Sequence, residues 1–306
     1  MNNPDTTRAG ACDAFIVVAV LWLLAALATF ASVYAVYVID TAAGFRTYDD
    51  RLRAEALVSG AVELAAYQLT SKAEHHPTHG QFNFRMGQAN VAVEFRSEAA
   101  RIDLNVAPKE LLAGLFAAVG AAPVDAEKYA DRVVTWRTAP LPGRDAAASA
   151  ERGGAPRYAP RGAPFPDTAE LALVDLPPAL VERALPLVTV YSGLAKVDVL
   201  EAAPDVIAAL PDLTRERLNS VLAQRRAAPG DGQALLPLLG RAQAYAGTQA
   251  SQAARVSVHV AFDDGLQTSA EVVILAYQKG NVPYSVLSWR DQLDSAANHG
   301  VGVASR

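Results

Sequence analysis

The sequence predicts an α+β chain: an N-terminal transmembrane helix that continues into a stem, then a small antiparallel sheet split by a large helical insertion. Three observations predict it. The uncharged apolar run Ala14–Ile39 lies near the start. Strand-like alternation occurs twice, on either side of a long helical stretch. Within that stretch "RIDLNVAPKELLAGL", Arg101–Leu115, returns in altered form as "KVDVLEAAPDVIAAL", Lys196–Leu210.

The run Ala14–Ile39 has no charge, no Gly and no Pro. As a helix it extends roughly 39 Å, enough to cross a ~30 Å hydrocarbon core with some tilt. A cleaved secretory signal has a shorter apolar core of about 7–15 residues. Cys12 precedes the run, whereas a lipoprotein cysteine follows one, and a single cysteine rules out an intrachain disulfide. Arg8 stands before the span and Arg46, Arg51 and Arg53 after it. By charge alone this places the C-terminal body in the cytoplasm.

Beyond the span, Phe45, Tyr48, Leu52, Ala56, Gly60, Leu64 and Tyr67 recur every three or four residues. This predicts that the helix continues as an amphipathic stem to about Thr70. The alternative is a separate helix after a break at Gly44.

The period then changes to two. "FNFRM" alternates Phe82, Phe84 and Met86 with polar positions, and "NVAVEFR" does so with Val91, Val93 and Phe95, joined by "GQAN" as a hairpin. A second hairpin is predicted where Val256, Val258, Val260 and Phe262 precede a "DDG" turn, and "YSVLSW" gives a last strand after "KGNVP". One hairpin buries too little apolar surface alone, so the halves join into one sheet against the stem.

The insertion contains "APKELLAGLFAAVG" and "AEKYADRVVTWR", separated by the breaker Pro123, then "DTAELALV" with a capping-box start and "PPALVERALPLVTVYS". The second unit repeats the theme with "AAPDVIAALPDL" and "TRERLNSVLAQRR". Pro108 and Pro204 fit first helical turns, where a missing N–H does no harm. Asp103 and Asp198 are cap or turn formers. The resulting division is 1–14 leader or cytoplasmic segment, 15–39 transmembrane helix, 40–102 stem and first strands, 103–250 insertion (units about 103–192 and 196–250), and 251–306 remaining strands and tail.

The pattern "IDLN-x-AP-x-x-L", a second helix ending in "WR", then "RGAPFPDTAEL" and "LVTVYSG" resembles the type II secretion system protein K family, also called general secretion pathway protein K. The resemblance extends over nearly the whole chain. It implies a large minor pseudopilin with a pseudopilin-type stem. One inner-membrane helix holds a periplasmic body, which reverses the orientation read from charge. It also implies a place at the tip of a short pseudopilus, with other minor pseudopilins and the major pseudopilin as partners. Pseudopilins are cut by a prepilin peptidase behind a short leader. Cleavage after Gly10 gives a mature chain starting at Ala11 with Phe15 fifth, and cleavage after Ala14 gives a start at Phe15 with Ala19 fifth. Neither supplies the fifth-position Glu of other pseudopilins, and family members lack it as well. Phe15, Val18, Trp22, Leu52 and Leu64 are the expected helix-contact residues. Relatives carry calcium in the loop after the "WR" helix, which makes Asp145 and Glu151 the calcium candidates. Thr138 stands where an Asp is common, and calcium needs six to eight oxygens.

The repeats also resemble helix-hairpin-helix (SAM-like) modules, which elsewhere grip DNA phosphates. That grip requires backbone N–H groups exposed at a Gly-rich hairpin. The connectors "VGAAPVDAEK" and "LPDLTRER" hold no Gly-x-Gly, and 32 acidic against 27 basic side chains leave no concentrated basic face, so no nucleic-acid partner is expected. A membrane-anchored DNA-uptake module and a minor pilin of a related filament are the alternatives. His75, His76 and His79 in "HHPTH" read as a solvated loop, since the Pro and the loop context break any regular presentation of zinc ligands. No GxSxG, HExxH, phosphate loop or dinucleotide fingerprint occurs, so an enzyme is not expected.

Overall fold

The computed structural model describes residues 7–71, 77–139, 160–276 and 283–291. They divide into two compact units, Met1–Leu57 and Val58–Arg306. Helix α1 runs from Thr7 to Thr70 without a break. Gly44 therefore does not end it. A lone glycine costs only about 1 kcal/mol against alanine, which good helix formers on both sides overcome.

In the second unit α1 presents Val58, Ala61, Val62, Ala65, Ala66 and Leu69 as its buried side. The stripe read from the sequence is a different one. Ala56, Gly60, Leu64 and Tyr67 are all exposed. The small residues of the buried side are legible only once the sheet is in place, because alanine carries little hydrophobic signal.

The sheet has five strands in the order β1-β2-β7-β8-β9, antiparallel throughout. The strands are β1 (His79–Met86), β2 (Ala89–Ser97), β7 (Ala253–Phe262), β8 (Gln267–Ala276) and β9 (Tyr284–Asp291). The first hairpin turns on Gly87 and Gln88 alone, since Ala89 and Asn90 already belong to β2, and Gly87 takes φ +59°, which the tight turn requires. In β2 the buried residues Ala89, Val91, Val93, Phe95 and Ser97 alternate with exposed ones, as the period of two demands. Across the pair, Val91 faces Val260, Val93 faces Val258 and Phe95 faces Val256. The halves thus meet at the centre of the sheet. β1 departs from expectation: Phe82 and Phe84 stack at 6.3 Å but stay half-buried, and Met86 is 62% exposed. An edge strand has a neighbour on one side only, so the alternation in its sequence overstates its burial. Tyr284 on β9 donates to Glu63 of α1 at 2.7 Å, and burial followed by the carboxylate pushes its hydroxyl up to about 12.

The chain leaves the sheet at Ser97 and returns at Ala253, and the next residue, Ala254, is paired directly with Ser97. Between these points lie two repeats of one plan. In the first, β3 (Ile102–Asp103) pairs in parallel with β4 (Val188–Thr189) and encloses α2 (Lys109–Ala118), α3 (Pro123–Arg137), a 3-10 turn (Thr168–Leu173) and α4 (Pro178–Ala184). In the second, β5 (Val197–Asp198) pairs in parallel with β6 (Ala246–Gly247) around α5 (Pro204–Ala208), α6 (Arg215–Ala227), α7 (Gly232–Leu235) and the 3-10 run Leu236–Tyr245. Both repeats feed one core, from Leu111, Leu115 and Phe116 to Ile207, Leu235 and Leu239. They meet where Gly114 lies against the carbonyl oxygen of Ala209, with no room for a β-carbon.

Two local expectations change. Pro204 is the first residue of α5, but Pro108 is the N-cap of α2 rather than part of its first turn. The segment at Asp167 is a 3-10 turn and not a capped α-helix. Asp167 accepts from the Ala169 N–H at 2.7 Å, while Glu170 turns to Arg161 at 2.9 Å instead of reaching back.

Candidate functional site

Helix α1 contains the one segment among the described residues that is long and apolar enough to cross a membrane, Ile16–Val38, with a mean hydropathy of 2.5 and none of it buried. Val18 and Trp22 lie within it, and Trp22 is 74% exposed. Leu52 is exposed, as is Leu64 at 45%. Gly10, Ala11, Ala14 and Phe15 fall in the helical backbone of α1. The calcium candidates Asp145 and Glu151 lie outside the described residues, as do His75 and His76. His79 is not in a loop; it begins β1, with its Nδ1 2.8 Å from Glu201 Oε1. His259 is exposed on the polar phase of β7.

The fastening between sheet and insertion is a feature that sequence reasoning missed. As β2 ends, Ser97 caps a short 3-10 turn by accepting from the Ala99 N–H at 3.3 Å, and it also accepts from the Ser251 N–H at 3.0 Å where the chain returns. That turn carries Glu98, 1% exposed. Arg255 on β7 donates to its Oε1 through Nε at 2.7 Å and to its Oε2 through Nη2 at 3.2 Å, and Thr189 of β4 also donates to Oε2. Arg255 also pairs with Glu271 of β8. Burial pulls the Arg255 guanidinium down, but the hydrogen bonds and charges of Glu98 and Glu271 outweigh it and hold it above its usual value. A buried charge is tolerated when it is paired and hydrogen-bonded, as here. The sequence signal was an acidic residue in "SEAAR" directly after an apolar strand, which reads equally well as a surface turn.

A second fastening joins β9 to the first repeat. Arg290 Nη2 lies 2.7 Å from both oxygens of Asp167. Burial works to raise that carboxyl, yet the Ala169 N–H and Arg290 hold it below its usual range.

Each repeat is closed by an arginine on carbonyl oxygens. Arg137 at the end of α3 donates to Leu104 O at 2.5 Å and Ala107 O at 2.7 Å. Arg225 near the end of α6 donates to Ala202 O at 2.6 Å and Val199 O at 3.3 Å, the matching places. Burial lowers both guanidinium groups. The "WR" motif is therefore a clamp on the repeat's own turn. Among the described residues no group of three or more His, Cys, Asp or Glu is placed to hold a metal ion.

A membrane-length helix thus leads into a sheet that one buried and one half-exposed ion pair fasten to a doubled helical insertion. Residues 89–193 match the family model of type II secretion system (T2SS), protein K. The matched span begins at β2 and ends just after β4, so it takes in Glu98, Asp103, Arg137 and the whole first repeat. Among solved structures, a chain of the GspK-GspI-GspJ complex from the enterotoxigenic Escherichia coli type 2 secretion system is similar in fold, with a TM-score of 0.58 and 16% identity. The similarity covers 80% of this chain and 98% of that one. No curated protein matches the sequence.

Proposed function

We propose that this chain is the large minor pseudopilin of a type II secretion system, capping the pseudopilus tip and helping to start its assembly for export across the outer membrane. The protein K match over residues 89–193, standing behind a membrane-length helix, carries the reading. In this reading the span lies in the inner membrane as a single pass, and the body faces the periplasm. Prepilin peptidase acts at Gly10–Ala11 or, alternatively, at Ala14–Phe15. The similar Escherichia coli chain was solved together with GspI and GspJ, and two unlike small pseudopilins are the corresponding partners here. The role is structural, with the repeats, helix-hairpin-helix-like in sequence, serving as packing and contact modules.

The exposed apolar side of α1 supports the stem as a contact surface. Leu64 is a large apolar residue exposed on a polar stretch of helix, and Leu52 is another; contact with a partner stem at either removes that surface from water. Phe15, Val18 and Trp22 take the same role inside the membrane. The test is native mass spectrometry of the full chain in detergent with the two neighbouring small pseudopilins. One copy of each in a stable complex is the expected result, and Leu64→Glu disrupts it. The reading fails if the wild-type chain binds neither pseudopilin.

A further inference from the structure

The cleft beside the Glu98–Arg255 pair contains one guanidinium with no hydrogen-bond or ion-pair partner among the described residues. It has a volume of about 200 Å³ and lies between the polar face of β2 and β7 and the start of the second repeat. Three arginines and three glutamates line it. Glu94 is paired with Arg96 at 3.0 Å, and Glu98 is held by Arg255 and Thr189. Glu201 accepts from Thr78 at 2.8 Å and faces His79. Arg101 remains, with no hydrogen bond or ion pair from its guanidinium among the described residues. Burial, and then the like charge of Arg255, depress its basicity.

A half-buried guanidinium without an acceptor is costly, and a carboxylate is the group that relieves it, through two parallel N–H···O bonds. Ala100, Pro186, Ala203 and Val206 supply an apolar wall to the same cleft, suited to the methylenes of an acidic side chain. We propose that this cleft receives the carboxylate of a Glu or Asp side chain presented by a partner pseudopilin, with Arg101 as its receptor. The partner's identity rests on the tip-complex reading; the carboxylate chemistry rests on the cleft alone.

The experiment uses the full chain in detergent as wild type, Arg101→Met, Arg101→Lys and, as a control outside the cleft, Arg241→Met. One arm measures affinity for the two small pseudopilins. The other measures the rise in Tm produced by propionate, a free carboxylate with the stem of an acidic side chain. Arg101→Met is expected to weaken the complex by about tenfold or more, Arg101→Lys by less because it lacks the planar fork, and Arg241→Met not at all. Propionate stabilises the wild type and not Arg101→Met. If pseudopilin affinity is the same in wild type and Arg101→Met, the proposed partner contact is overturned while the tip reading stands. If the wild type binds no pseudopilin but propionate still acts through Arg101, the carboxylate site stands and the tip reading falls. An equal propionate response in wild type and Arg101→Met overturns the site itself. Should Arg101→Met fail to fold by circular dichroism, Arg101→Gln takes its place in both arms.

Discussion

Asp103 and Asp198 occupy the same point of the two repeats, yet the protein treats them differently. Each opens a turn by accepting from the backbone N–H two residues on: Asn105 at 2.8 Å in the first repeat and Leu200 at 3.0 Å in the second. Each is 1% exposed. The second oxygen of Asp103 accepts from the Ser192 hydroxyl at 3.0 Å and the Gly193 N–H at 2.8 Å. The second oxygen of Asp198 has no partner among the described residues. Burial, with a smaller contribution from nearby Glu201, therefore pushes the Asp198 carboxyl up to about 6 despite the Leu200 N–H and Arg225. The first repeat is also the one tied to the sheet through Thr189 and Glu98. A copied motif thus keeps its backbone geometry, while the stability it confers depends on what the surrounding chain brings to the remaining lone pairs.

Substitutions that break or sharpen this contrast are measured by equilibrium urea unfolding of the full chain in detergent. Glu98→Ala has the largest effect. It strands the buried guanidinium of Arg255 and costs about 3–5 kcal/mol, whereas Glu201→Ala, which loses only the contacts of Thr78 and His79 with the second repeat, costs much less. Asp103→Ala follows at about 3 kcal/mol, because three donors lose their acceptor together. Gly114→Ala forces α2 away from Ala209 and costs about 1–3 kcal/mol. Alanine is the better helix former by about 1 kcal/mol, so an unchanged or raised stability at Gly114→Ala would show that α2 moves off Ala209 without cost.

Asp198→Asn has the smallest effect and the opposite sign. Because the folded carboxyl titrates at about 6 against an ordinary 3.8, the folded state holds a proton through that window which the unfolded chain has already lost. Stability then falls as pH rises from about 4 to about 6, by at most about 3 kcal/mol. The Asn variant keeps the acceptor for Leu200 and removes this fall, gaining about 1 kcal/mol or more at pH 7. A wild-type stability that stays flat across that window would show that the second oxygen is hydrated.

The chain's own pattern determined the elements. The uncharged run Ala14–Ile39, the period-two stretches around Val93 and Val258, and the doubled Asp–x–x–x–Ala turn are local signals, and they give a helix, a split sheet and two repeats because propensity and periodicity act over a few residues. What pairs with what over long separations was not legible. Nothing in "SEAAR" says that Glu98 will meet Arg255 and Thr189, nor that Asp103 will be completed by Ser192 and Asp198 left unfinished. The same holds for α1, where the conspicuous Leu64 and Tyr67 face outward and the inconspicuous Ala61 and Ala65 face in. Only the tertiary structure decides these, because burial and partnering set whether a charge is stabilised, left at a cost or exposed, and both depend on segments far apart in the chain.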